Sequence, residues 1–203
     1  MTHSKYIVQA IIVNLFPDGD QSLILECLTD VLGRIYVNVQ SVKKMENKHR
    51  NMIYKFSPIT LECVQGKRYY RCTGVSEWKN YYQELTSLKV EERREIQSIF
   101  SMIQRLVPAN IPTHEIFIVG MIFFEYILKT KFNEKQLQNM KLVVQLRILG
   151  ILGYWNSDWT NEVFSIESKT FLYVKENKQS VIRLVEKILN ETQMNEFTRE
   201  QEL

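Results

Sequence analysis

Lys67-Arg68-Tyr69-Tyr70-Arg71-Cys72 carries the most chemistry per residue in this chain. Read as a strand, its side chains alternate, so Lys67, Tyr69 and Arg71 share one face and Arg68, Tyr70 and Cys72 the other. Cys72 favours turning the second face inward, which forces Arg68 to escape at the mouth of a barrel. The first face then presents cation, aromatic, cation. A ring in that setting can stack a base, worth about 1–3 kcal/mol, while the flanking charges neutralise phosphates. The same pattern suits a Tyr69 that packs against a helical domain, and both readings stand at this point. Upstream, Lys43-Lys44-Met45-Glu46-Asn47-Lys48-His49-Arg50 is almost wholly polar and reads as a loop. Between Arg34 and Arg71, nine basic residues meet only Glu46 and Glu62, a local charge of +7 inside a chain whose total is +3. Clustered like charges repel, and a polyanion relieves that repulsion. A solvated surface needs no such partner; the coincidence of this cluster with a strand-rich region favours the polyanion.

Catalytic constellations are missing from the sequence. His3, His49 and His114 are far apart and outside any HExxH pattern. There is no GxSxG, GxGxxG or Walker A motif, since Gly66-Lys67 runs into Arg68 where Ser or Thr is required. Glu91 and Glu92 are adjacent, point in different directions on a helix, and read as first-turn acids that suit its dipole. A binding module is therefore expected, not an enzyme, with no catalytic residues and no cofactor. Cys27, Cys63 and Cys72 form no CxxC pair and cannot all be joined to one another, which points to buried free thiols in a reducing compartment and to no metal site. The start of the chain lacks the apolar core of a secretory signal, and the longest apolar stretch, Ile116 to Leu128, is broken by Glu125 and falls short of a bilayer span. No membrane partner is expected, and a cytoplasmic location is.

The elements that must position these residues change character along the chain. Tyr6 to Phe16 is rich in β-branched and aromatic residues and stops at Pro17-Asp18-Gly19-Asp20, a strong turn signal. Ser22 to Leu32 ends at Gly33, and Arg34 to Val42 alternates as a half-exposed strand does. Ile53 to Val64 and Lys67 to Val75 flank a turn at Gln65-Gly66. Five short strands in this space predict a small barrel of the OB-fold kind. From Glu91 the period becomes helical: Ile96, Ile99, Phe100, Ile103 and Leu106 lie on one stripe before Pro108. Ile116 to Phe124 is apolar nearly all round, which predicts the centre of a bundle. Leu137 to Leu152 forms a further helix stopped by Gly153, then come a short β-like stretch and a final amphipathic helix around Val181 to Leu189. The expectation is α+β: residues 1–75 a five-stranded OB-fold-like β-barrel, residues 76–191 an α-helical domain with a β-like insert at 162–174, and residues 192–203 a polar tail. With 45% hydrophobic residues the chain can build such cores.

This order of parts resembles the RecO family of bacterial recombination mediators, an N-terminal OB-fold followed by helices. Ala10-Ile11-Ile12-Val13-Asn14, Pro17-Asp18-Gly19-Asp20 and Leu28-Thr29-Asp30-Val31-Leu32-Gly33-Arg34-Ile35 are similar to the family's opening strands. Val42-Lys43-Lys44 and the basic run to Arg50 resemble its basic loop, and Phe56-Ser57-Pro58 with Gly66-Lys67 matches the rhythm of the strands after it. Gln145-Leu146-Arg147-Ile148-Leu149-Gly150-Ile151-Leu152-Gly153-Tyr154 looks like its Leu-Arg-Leu-Leu…Leu-Gly-Tyr helix end. The similarity covers roughly 5–190, with two departures: no cysteine follows Tyr154, where many members hold a four-cysteine zinc site, and the chain is short for the family. The resemblance implies a non-enzymatic, nucleoid-associated protein of DNA repair and recombination. Such a protein binds single- and double-stranded DNA, anneals strands, and helps load recombinase together with RecR and the acidic tail of single-stranded-DNA-binding protein. The expected DNA contacts are Arg34, Lys43, Lys44, Lys48, Arg50, Lys67 and Arg71, with Tyr69 stacking. Lys141 and Arg147 are the expected contacts to the acidic tail. The rival is a protein–protein adaptor whose basic loop only keeps it soluble.

Overall fold

A computed structural model describes residues 4–40, 50–155 and 167–200. Five strands, β1 (Lys5–Asp18), β2 (Ser22–Thr29), β3 (Gly33–Val39), β4 (Pro58–Val64) and β5 (Tyr70–Glu77), close into a barrel in the order β1-β2-β3-β5-β4. Closure depends on β1, which is long enough to serve two neighbours. Its first half pairs antiparallel with β4 (Lys5↔Val64 to Ile11↔Pro58) and its second half with β2 (Ala10↔Thr29 to Asp18↔Ser22). A bulge between Ile12 and Asn14 bends the strand from one partner to the other. The remaining seam is a parallel pairing of β3 with β5, Val37↔Tyr70 and Asn38↔Arg71. An α+β chain with an N-terminal OB-fold-like barrel is what the sequence predicts, and it is what forms.

Alternation fills the barrel. Ile35, Val37 and Val39 point inward from β3 and Leu25 and Cys27 from β2, while Tyr36 and Asn38 face out. The β2–β3 turn is tied by the Thr29 hydroxyl, which donates to Gly33 O at 2.8 Å and accepts from Leu32 N at 3.0 Å. Gly33 has no substitute: its φ is +69°, and a Cβ there would lie 1.8 Å from the Ile111 carbonyl oxygen. That approach belongs to a strap, residues 107–112, whose Asn110 N–H donates to Arg34 O at 2.8 Å beside a parallel bridge of Ala109 to Arg34.

The chain forms two compact units, Met1–Leu88 with Val107–Ile118, and Lys89–Leu106 with Val119–Leu203. The boundary expected at residues 75–76 is thus drawn differently, because β5 continues to Glu77, a short helix α1 (Tyr82–Ser87) follows it, and the strap returns to the barrel. The other helices are α2 (Val90–Leu106), α3 (His114–Lys129), α4 (Glu134–Ile151), α5 (Lys169–Glu176) and α6 (Lys178–Glu200). Helix α2 buries Ile96, Ile99, Phe100 and Ile103, the stripe read from the sequence.

Four expectations need correction. The central helix of the second unit is α4, buried on nearly every side and packed by α2, α5 and α6, whereas α3 leaves Ile118 and Ile122 exposed. Residues 169–174 of the β-like insert are helical: the Ser168 hydroxyl accepts from Phe171 N at 3.1 Å and starts α5. The rest of that insert, before Glu167, lies outside the described residues. Helix α6 continues to Glu200, so 192–200 is helix and not tail. The β4–β5 connection is longer than a Gln65-Gly66 turn, since Val64 pairs with Arg71 and residues 65–69 bridge them. The stop at Gly153 is as expected: its φ is +79° and Tyr154 N donates to Leu149 O at 2.9 Å.

Candidate nucleic-acid interface

Because β5 begins at Tyr70, Lys67 and Tyr69 belong to the connecting loop and do not share a strand face with Arg71. The loop doubles back so tightly at Gly66 that a Cβ would sit 2.3 Å from Tyr69 O. The result still groups cations and rings, by another route. Arg68, which strand alternation turned inward, lies with its guanidinium carbon 5.1 Å over the Tyr69 ring. Tyr69 in turn stands 6.3 Å from Tyr36 of β3, the rings tilted by 57°. At the start of β5 the alternation holds, before a slip in the pairing with β4 turns Val75 inward. Arg71 faces out, while Tyr70 and Cys72 turn toward the barrel core, Tyr70 edge-on to Tyr6 at 5.9 Å. Burial raises the Tyr70 phenol above its ordinary range, so it stays a neutral hydroxyl.

The parallel β3–β5 seam sets Asn38 beside Arg71 and opens a cleft of about 350 Å³ there. Asn38, Gln40, Tyr70 and Arg71 line it together with Val64 and the loop residues Gln65, Gly66 and Tyr69. Asn38 is held by its amide, which donates to the Asp18 carboxylate at the start of the β1–β2 turn. OB-folds bind oligonucleotides on the face of strands 2 and 3 and the flanking β1–β2 and β4–β5 loops; of these, the cleft draws on β3 and the β4–β5 connection. No protein-family model matches this sequence, and no curated protein does.

Arg34 is the clearest departure from the expected site. Its side chain is only 14% exposed, and its guanidinium is committed inside the unit: to Glu26 Oε1 at 2.7 Å, to the Tyr36 hydroxyl at 3.0 Å, and through Nε to Val107 O at 3.0 Å. Glu26 is 3% exposed, so this is a buried ion pair that anchors the strap. Arg34 thus ties β2 and β3 to the strap and has no guanidinium free for a phosphate. Tyr69 and Arg71 come together at the cleft; Lys67 lies in the same β4–β5 connection but does not line it. Lys43, Lys44 and Lys48 lie outside the described residues, and of Arg50 only the backbone is described, opening a single turn of 3-10 helix at Arg50–Met52. Sequence reasoning missed Tyr36, Asn38, Gln40 and Arg68 as site residues. Alternation on β3 carried the signal for the first two; the β3–β5 neighbourhood that makes them matter did not show.

In the second unit, neither expected peptide contact is offered as foreseen. Arg147 is 4% exposed within α4, and Lys141 is paired with Glu95 of α2 at 2.8 Å. The thiols are quiet. Burial pushes Cys27 far up and Cys63 and Cys72 up to about 11, and the last two are cross-strand partners of β4 and β5. Among the described residues no group of three or more His, Cys, Asp or Glu is placed to hold a metal, and no helix is long and apolar enough to cross a membrane.

Proposed function

We propose that this chain is a non-enzymatic DNA-binding protein of RecO-like type whose barrel holds a single strand in the β3–β5 cleft. The observation that supports this most is the stack of Arg68 on Tyr69, with Tyr36 behind it, at the mouth of a cleft beside Arg71. Every base has a π-face, so a ring pre-oriented by a guanidinium accepts any sequence, and the surrounding cations take the phosphates. The basic run Lys43 to Arg50 follows β3 within a few residues in the sequence and adds to the positive charge of this half of the chain. Annealing, binding of duplex, and recombinase loading with a RecR-like partner are the roles the resemblance attaches to such a barrel. A contact to an acidic tail is not carried over to Arg147, which is inside α4.

The test is fluorescence anisotropy with a labelled single strand and the matching duplex over a salt series. The expected result is tight binding at low salt that weakens linearly on log–log axes, by about 0.7 in slope per phosphate contacted on a single strand. Absence of binding at low salt, or binding indifferent to salt, overturns the proposal and leaves the adaptor reading.

A further inference from the structure

The outer face of the barrel carries a row of side chains that crosses β1, β2, β3 and β5 in register. Phe16 pairs with Ile24, Ile24 with Asn38, and Asn38 with Arg71. Directly opposed residues project from the same side of a sheet. The neighbouring row, Leu15, Leu25, Val37 and Tyr70, fixes which side that is, because its side chains turn toward the barrel core. The row from Phe16 to Arg71 therefore faces out. A side-chain contact agrees: the Asn38 amide donates to the carboxylate of Asp18, which lies two residues beyond Phe16 on the same side of β1. Read across the strands, the row is aromatic, aliphatic, amide, guanidinium. Asn38 and Arg71 already line the cleft; Phe16 and Ile24 carry the row away from it, toward β1.

A lone exposed apolar side chain is ordinary on a protein surface, and three observations set Phe16 apart. Its neighbours on the same side of β1, Asn14 and Asp18, are polar, as a strand facing water should be, yet the ring between them is 39% exposed. It stands in register with the amide and guanidinium of the cleft. Third, the spacing suits a nucleic-acid strand. From β1 to β5 the row spans three strand separations, about 14 Å, which covers about four nucleotides at a rise of about 3.4 Å and fewer when the strand is stretched. We infer that Phe16 is a second stacking station for the same single strand, which leaves the cleft at Arg71, crosses Asn38 and Ile24, and lays a base on the Phe16 ring; this path rests on the single-strand reading of the cleft and supplies its other end. Asp18 beside Phe16 repels phosphate, so that station holds a base by its π-face alone and the phosphates bear toward Arg71 and Arg68.

The experiment uses the full chain and its Phe16→Ala, Phe16→Leu and Phe16→Trp variants, each first checked for an unchanged melting temperature. Oligothymidylates of graded length are titrated, the longer ones by anisotropy and a dinucleotide by amide chemical shifts. Phe16→Ala should weaken the longer strands by about five- to a hundredfold, the usual worth of one stacked base, while the dinucleotide, short enough for the cleft alone, binds as it does to the wild type. The salt slope of the longer strands should not change, because stacking releases no counterions. Phe16→Leu keeps apolar bulk without a ring and should bind nearly as poorly as Phe16→Ala, whereas a role in packing alone predicts rescue. Phe16→Trp should keep the wild-type affinity, and its fluorescence should be quenched on adding a long strand by more than that of the wild type. If Phe16→Ala binds long strands as the wild type does, if Phe16→Leu restores binding, or if the added tryptophan is not quenched, the path to Phe16 is wrong and the cleft keeps its strand. A wild type that binds no single strand at low salt overturns the barrel proposal itself, and this path with it.

Discussion

Arg34→Met separates a structural arginine from a phosphate-binding one. The substitution removes the guanidinium from Glu26, Tyr36 and Val107 while keeping most of the apolar stem. What remains is a carboxylate 3% exposed with its cation gone. Losing one member of a buried pair typically costs about 3–5 kcal/mol, mostly because the survivor stays buried and uncompensated. For a chain of this size each kcal/mol moves the midpoint roughly 2–4 °C, so a drop of roughly 6–20 °C is expected in the barrel's thermal transition. Arg34→Met/Glu26→Leu should recover most of that, since an apolar pair of similar volume suits the site. Arg34→Lys should recover little, because an ammonium lacks the fork that reaches three acceptors at once. Thermal unfolding by circular dichroism gives the midpoints, and the DNA salt slope measured below the transition should match the wild type. A variant as stable as the wild type whose salt slope falls by about 0.7 would refute this reasoning and return Arg34 to the DNA surface.

Other positions test other links. Tyr69→Ala should weaken single-strand binding by about 1–3 kcal/mol with the salt slope unchanged, because stacking releases no counterions; Lys43, Lys44, Lys48 and Arg50 replaced together by Glu should instead flatten the slope. Gly33→Ala should be among the most damaging small changes in the chain, since the new Cβ meets Ile111 O at 1.8 Å and the backbone is left-handed; the readout is loss of soluble protein or of the cooperative barrel transition. The thiols should resist alkylation at neutral pH until the protein unfolds. Cys63 and Cys72 are raised to about 11 in the fold, so the unfolded chain gives up their protons first, and stability present below about pH 9 should decline as pH rises toward 11; replacing both cysteines with Ala should lessen that decline and leave the share that the buried Cys27 contributes.

The barrel was legible because its signals are local. Alternation at Ile35, Val37 and Val39 and the turn residues at Gly19 and Gly33 each report on a few neighbouring residues, and their sum gave five strands. The closing seam of β3 on β5 was not legible, because a parallel pairing between residues more than thirty positions apart leaves no periodic trace. Lys67 and Arg68 show the price of extending a period too far: alternation is a property of a paired strand, and pairing starts only at Tyr70. The inversion between α3 and α4 has a similar cause. Hydropathy marks which helix is apolar, but the helix packed on all sides is fixed by its neighbours, and α4 takes Gln145 and Arg147 inside with it. At the insert, β-branched and aromatic residues suggested a strand, and the Ser168 cap decided otherwise.

The strap has a bearing on how the protein is made. Residues 107–118 complete the first unit, yet residues 89–106, which precede them, belong to the second. A ribosome adding about 5–20 residues each second therefore synthesises α2 for roughly one to four seconds before the first unit's last piece exists. During that interval Gly33 and the Arg34 carbonyl lack their covering backbone, and the Arg34 side chain lacks its Val107 acceptor. The five strands can close the barrel before then, and only the covering of Gly33 and Arg34 is coupled in time to the birth of the helical unit.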